Sequence, residues 1–213
     1  MIKSKIKISE SLEKYIPAIY VPYVVELLFS EKVNFRITKP RKTKHGDYRP
    51  PHDGKPHRIT VNSDLNPYSF LITTIHEFAH MTTHIKYGQR VQSHGIEWKS
   101  EFKRLLLPIL ESNELPESIH RALIWSLNNL KASSCTDIKL YRALKEFDDS
   151  SKNSVLLEQL KNNDQFKLGN KVFKRGVLRR SRFLCSEITT GKLYLVSGLA
   201  EVEKFNEEKE NGE

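Results

Sequence analysis

Cysteine is almost missing from this chain: Cys135 and Cys185 are the only two in 213 residues, and no C-x-x-C pair exists. A disulfide-stapled framework and a cysteine-based zinc site are therefore both excluded. Long apolar runs are missing too. The most apolar stretch, residues 16–29, is interrupted by Pro17, Pro22 and Glu26 and is too short to span a bilayer. The basic N-terminus leads into Ser9, Glu10 and Glu13 with no apolar segment behind it, so no secretory signal is read and a cytoplasmic protein without membrane contact is expected. Internal repeats and low-complexity linkers are absent. With 38% hydrophobic and 29% charged residues the chain reads as a soluble globular protein, long enough for one well-buried domain and a smaller second unit. Its net charge of +9 favours polyanionic partners such as nucleic acid, although a basic surface alone weighs about equally for and against.

Leu12, Ile16, Tyr20, Val24 and Leu27 recur at helical spacing, which predicts a helix over 10–30, broken in its first half by Pro17 and Pro22. Residues 33–38 and 57–62 suit strands, with an exposed loop rich in Pro, Gly, Lys and Arg between them, over 39–56. A buried helix is expected from Pro67 to about Tyr87, ended by Gly88, and another from Ile96 to Leu110, closed around Pro108 and Pro116. Residues 117–131 and 137–162 read as further helices, separated by the polar Ser133-Ser134-Cys135-Thr136 turn. Short apolar runs punctuated by Gly169, Gly176, Gly191 and Gly198 predict a small antiparallel β unit over 166–204, and an acidic tail follows. The expected organisation is α+β: residues 1–112, a helical extension over 113–165, a small basic β domain over 166–205, and the tail over 206–213.

His76-Glu77-Phe78-Ala79-His80 carries the chemistry. On a helix, residues four apart share a face about 6 Å apart, so both imidazoles can reach one metal ion. Glu77 projects beside that pair, where it can hold a water on the ion and take its proton. Zinc at such a site lowers the water's pKa towards 7. The alternative is chance spacing. The apolar neighbours Ile75, Phe78 and Ala79 argue against it, because burying two histidines and a glutamate without partners costs several kcal/mol.

A catalytic zinc needs a third protein ligand and an open position. His84 continues the series but lies eight residues beyond His76, about 12 Å along the axis, and is read as a cleft or surface residue. A metzincin pattern is excluded because Thr83 and Lys86 occupy its glycine and histidine places and the only methionines are Met1 and Met81. His94, in His94-Gly95-Ile96-Glu97-Trp98, is the better candidate, since Gly88 lets the chain turn back and His94 precedes a new helix. Glu97 or Glu101 remain open as carboxylate ligands. Tyr87, His84 and Arg90 are the candidates for stabilising an oxyanion.

The HEFAH motif, thirteen intervening residues and the HGIEW motif together resemble the SprT-like family, which includes the Spartan proteases acting on DNA–protein crosslinks. The strands at 35–38 and 58–62 also look like that family's catalytic domain, and the resemblance covers about residues 10–111. It implies a zincin-like catalytic domain with one zinc ion held by His76, His80 and His94 and with Glu77 as general base. It implies too a DNA-stimulated protease of DNA-associated proteins; separately, a monomer is expected. The chain departs from the paired-cysteine zinc ribbon that bacterial members often carry, because its β unit contains Cys185 alone and any ribbon there must be metal-free.

That unit is basic: between Lys167 and Lys192, eight Lys and Arg side chains face only Glu187. Lys171, Lys174, Arg175, Arg179, Arg180 and Arg182 are its candidate nucleic-acid contacts, with Phe173, Phe183 and Tyr194 either stacking on bases or filling a small core. Lys39–His57, with Arg41, Lys42, Lys44, Arg49 and Lys55, can extend the same surface, and His45, His52 and His57 are expected to be solvent-exposed. The strand at 58–62 is expected at the sheet edge, aligning an extended peptide above the cleft. Two other functions stay open: a nucleic-acid-binding protein that keeps zinc for structure, and a metallopeptidase without any link to DNA.

Overall fold

A computed structural model describes residues 2–41, 43–128, 138–149 and 154–205. The chain is α+β and divides into two compact units, Met1–Asp148 and Asp149–Glu213. Among the described residues no helix is long and apolar enough to cross a membrane.

The first unit opens with α1 (Ile2–Leu12) and α2 (Val21–Ser30), with a single 3-10 turn at Ala18–Tyr20 between them. Pro22 explains the break. It lacks an N–H and fits only the first turn of α2, so the helix expected over 10–30 restarts there. Three strands follow, β1 (Val33–Thr38), β2 (Gly46–Arg49) and β3 (His57–Asn62), in the spatial order β1-β3-β2. β1 runs parallel to β3, and β2 runs antiparallel to it. Two expectations change here. The 39–56 segment is no plain loop, since it contains β2. The 57–62 strand is the centre of the sheet, and β2 is the edge.

The long helix α3 (Pro67–Tyr87) packs against β2, β3 and α4 (Ile96–Glu111). Asn66 caps its start, accepting the Ser69 N–H at 2.9 Å, and donates onward to the Leu144 carbonyl at 2.9 Å. Gly88 ends it at a positive φ of 72°, as the sequence predicts. Phe70, Leu71, Ile75, Phe78 and Met81 of α3 are fully buried. Pro108 lies inside α4 and does not close it.

α5 (Glu117–Asn128) and α6 (Ile138–Lys145) put Ile119, Leu123 and Leu140 into the same core, so these helices belong to the first unit. Helix does not continue to 162 as expected: β4 (Ser154–Leu156) already belongs to the second unit. Ser133-Ser134-Cys135-Thr136, Lys42 and the tail lie outside the described residues.

The second unit is one six-stranded antiparallel sheet, in the order β4-β9-β5-β6-β7-β8. β5 is Gln165–Leu168, β6 Lys171–Arg179, β7 Arg182–Glu187, β8 Leu193–Ser197 and β9 Glu201–Lys204. The β unit therefore starts at 154, earlier than expected, because β4 pairs with β9. Leu157, Phe166, Phe173, Phe183, Cys185 and Val202 form its core. A bulge between Arg175 and Leu178 brings Gly176 so close to β7 that an added Cβ would lie 2.2 Å from the Leu184 carbonyl oxygen.

Candidate metal centre

The helical period of α3 puts His76 and His80 on one face, and His94 comes to them from the turn before α4. His94 itself holds a positive φ of 59°, and Gly95 donates its N–H to the Gln92 carbonyl at 2.8 Å. A histidine in the left-handed region is strained, and such strain concentrates where a side chain must be aimed. The three Nε2 atoms form a near-equilateral triangle with sides of 3.0, 3.1 and 3.2 Å. Among the described residues this is the only cluster of three His, Cys, Asp or Glu side chains that can hold a metal ion.

The triangle fits such an ion. Three imidazole nitrogens facing one another cannot all satisfy their lone pairs and protons mutually. His76, His80 and His94 would hold such an ion through these nitrogens. The imidazoles are also held in the neutral, ligating form. Burial, then the neighbouring His80 and His94, lowers the pKa of His76 to about 3. Burial and His94 lower that of His80 to about 4, and burial lowers that of His94.

Trp98 of α4 backs the cluster. Its ring centroid lies 4.7 Å from His94, 4.8 Å from His76 and 5.4 Å from His80, and its other side stacks on Phe102. The two carboxylates left open as ligands are placed differently. Glu101 is 3% exposed and bound to Lys86 at 2.5 Å and Arg104 at 2.8 Å. Burial pushes its pKa up, but these two cations outweigh burial and hold it low. Glu97 is not part of the cluster.

Glu77 faces β2. Its carboxyl is buried and accepts the main-chain N–H of Tyr48. Burial, aided by the charge of Asp47, raises its pKa to about 7 against the opposing pull of that N–H, Arg41 and Lys44. Asp47 in turn bonds Lys44 at 2.7 Å and Arg49 at 3.0 Å. Nothing in the sequence pattern marked Asp47, Tyr48 or Arg41 as neighbours of Glu77, because β2 was hidden in a loop-like composition.

His84 and His57 meet beyond the cluster. The Tyr48 hydroxyl lies 2.9 Å from His57 Nδ1, and the His84 ring centroid is 5.9 Å from that of His57 and 6.1 Å from that of Tyr48. His57 is thus half-buried, contrary to expectation, and burial with the nearby His84 lowers its pKa. Tyr87 and Arg90, the other oxyanion candidates, are exposed. A separate cavity of about 1700 Å³ lies along β1, at the other edge of the sheet, and holds none of the three ligating histidines.

In the second unit the six candidate contacts separate. Lys171 is paired with Glu187 at 3.0 Å, and the Arg175 guanidinium lies 3.8 Å over the Phe183 ring. Lys174, Arg179, Arg180 and Arg182 are exposed. Phe173 and Phe183 are core residues, while Tyr194 stays partly exposed against Phe173. No family model, curated protein or solved structure matches the chain.

Proposed function

We propose that this chain is a zinc metallopeptidase of the SprT-like type, with His76, His80 and His94 holding the ion and Glu77 as general base. The observation that carries the reading is the convergence of three neutral imidazole nitrogens within 3.2 Å of one another, two of them on the helix that also presents Glu77 and the third from the turn before α4. Zinc bound by three histidines supplies Lewis acidity, which polarises a carbonyl and acidifies water. Glu77, buried beside the cluster and facing β2, accepts a proton from the attacking water and returns it to the leaving amine. Trp98 and Phe102 shield the ligands on the helix side.

The peptide has a natural track at β2. Asn62 donates its N–H to the His45 carbonyl at 2.9 Å, and Asp47 pairs with Thr60, so the pleat turns the N–H and C=O of Gly46 and the C=O of Tyr48 to the free edge, the Tyr48 N–H being taken by Glu77. An extended substrate adding there is read through its backbone, which favours broad sequence tolerance. This replaces the 58–62 strand as the aligning edge.

The DNA-linked part of the reading rests on the exposed Lys174, Arg179, Arg180 and Arg182. Phosphate contact there brings DNA-associated protein substrates to the peptidase. Lys171 and Arg175 serve the β unit's own packing in this account. The experiment is histone cleavage by the zinc-loaded protein and by Glu77→Gln, with and without single-stranded DNA. Cleavage by wild type alone, and faster with DNA, supports both parts. Cleavage indifferent to DNA removes the nucleic-acid part. A protein that cuts nothing while holding one zinc per chain is the binding protein named above as an alternative.

A further inference from the structure

A general base acts only if its carboxyl is held still, and the helix that carries Glu77 supplies no partner for it. The partner is β2, whose Tyr48 N–H donates to the carboxyl. The fit is close: a Cβ on Gly46 would lie 2.5 Å from Glu77 Oε1, 2.8 Å from Glu77 Cγ and 2.7 Å from Thr73 Cγ2. Only glycine lets the strand ride this near the helix. The height of β2 over α3 therefore sets where the Glu77 carboxyl sits.

That height is set from beneath the loop that leads into β2. Asn62, at the end of β3, is 1% exposed and uses every bonding group of its amide. Its Nδ2 donates to the Arg41 carbonyl at 3.2 Å and the Lys44 carbonyl at 3.0 Å, and its Oδ1 accepts Arg41 Nε at 2.7 Å. Its main-chain N–H holds the His45 carbonyl at 2.9 Å, one residue before Gly46. Arg41 adds a second tie, from Nη1 to Thr60 Oγ1 at 3.1 Å.

We propose that Asn62, acting through Arg41 and the 41–45 backbone, is the positioning residue for Glu77, and that Gly46 is the contact through which it acts. The proposal rests on the reading of Glu77 as general base. An aspartate at 62 has the same shape and still accepts from Arg41, but it has no donor for the two carbonyls, so the loop and β2 lift together. A displacement of about 1 Å at a reacting group costs about a hundredfold in rate.

The test uses the full chain and has two readouts: exchange of the Tyr48 amide proton in the zinc-free protein, and peptide turnover with zinc content measured on the same samples. For Asn62→Asp, the expected result is Tyr48 exchange at least about tenfold faster, one zinc per chain, and turnover down about a hundredfold. A folded Asn62→Asp protein with wild-type Tyr48 protection and wild-type turnover overturns the proposal.

If Asn62→Asp fails to fold, Arg41→Lys and Gly46→Ala decide. Faster Tyr48 exchange with zinc retained supports the clamp, and unchanged exchange in both overturns it. Should wild type itself cut nothing, the peptidase reading fails, while the exchange arm still tests the clamp.

Discussion

Each histidine of the cluster is held neutral at the expense of acid stability. In the unfolded chain a histidine takes up a proton near pH 6.5, whereas burial and like neighbours hold His76 and His80 at about 3 and about 4 in the zinc-free fold. Above pH 6.5 neither state is protonated and the shift has no effect. As pH falls from there towards 4, only the unfolded state binds protons, so stability is lost across that window. Thermal unfolding of the zinc-free protein should show a midpoint that drops between pH 7 and pH 4.5, and His80→Gln should flatten part of that drop. The strained His94 makes a second prediction. His94→Ala removes one of three ligands and should weaken zinc binding at least about tenfold to a hundredfold, measured by competition with a chromogenic chelator. Unchanged affinity would assign the third position to another group.

Elements differed in how openly the sequence announced them. α3 was legible from both ends, with Pro67 at its start, Gly88 at its stop and apolar positions in one period between them; the cap is Asn66, where the sequence offers Asn62-Ser63-Asp64. His76, Glu77 and His80 lie on it, so that part of the candidate site was legible with it. β2 was not. Gly46-Asp47-Tyr48-Arg49 has one apolar residue and sits in a run of Pro, Gly and cations, and its pairing with β3 comes from the tertiary bonds of Asn62 and Thr60. Missing β2 moved the expected sheet edge to the wrong strand.

The helix expected over 137–162 holds over Ile138–Lys145 but does not reach 162, for a related reason: β4 is three residues long and exists only because β9 pairs with it. At this scale Gly176 also carries a prediction. A methyl there must displace the Leu184 carbonyl, so Gly176→Ala should destabilise the second unit by about 1–3 kcal/mol. Amide exchange along β6 and β7 should rise in proportion, with the first unit unaffected.

At the scale of the whole molecule, two units carry two tasks in this account: peptide hydrolysis in the first and polyanion contact in the second. Charges that contact phosphates act additively and are screened by salt. Replacing Arg179, Arg180 and Arg182 with alanine should therefore abolish most stimulation by single-stranded DNA and lower the salt dependence of DNA binding. Turnover without DNA should stay at the wild-type level. The central claim is that this chain is a zinc peptidase whose base is Glu77. Its most direct test is cleavage of an unstructured protein such as casein by wild type and Glu77→Gln, with zinc content read on the same preparations. The account predicts one zinc per chain in both and cleavage by wild type alone. Equal cleavage by the two proteins, or a wild type that binds no zinc, would contradict it.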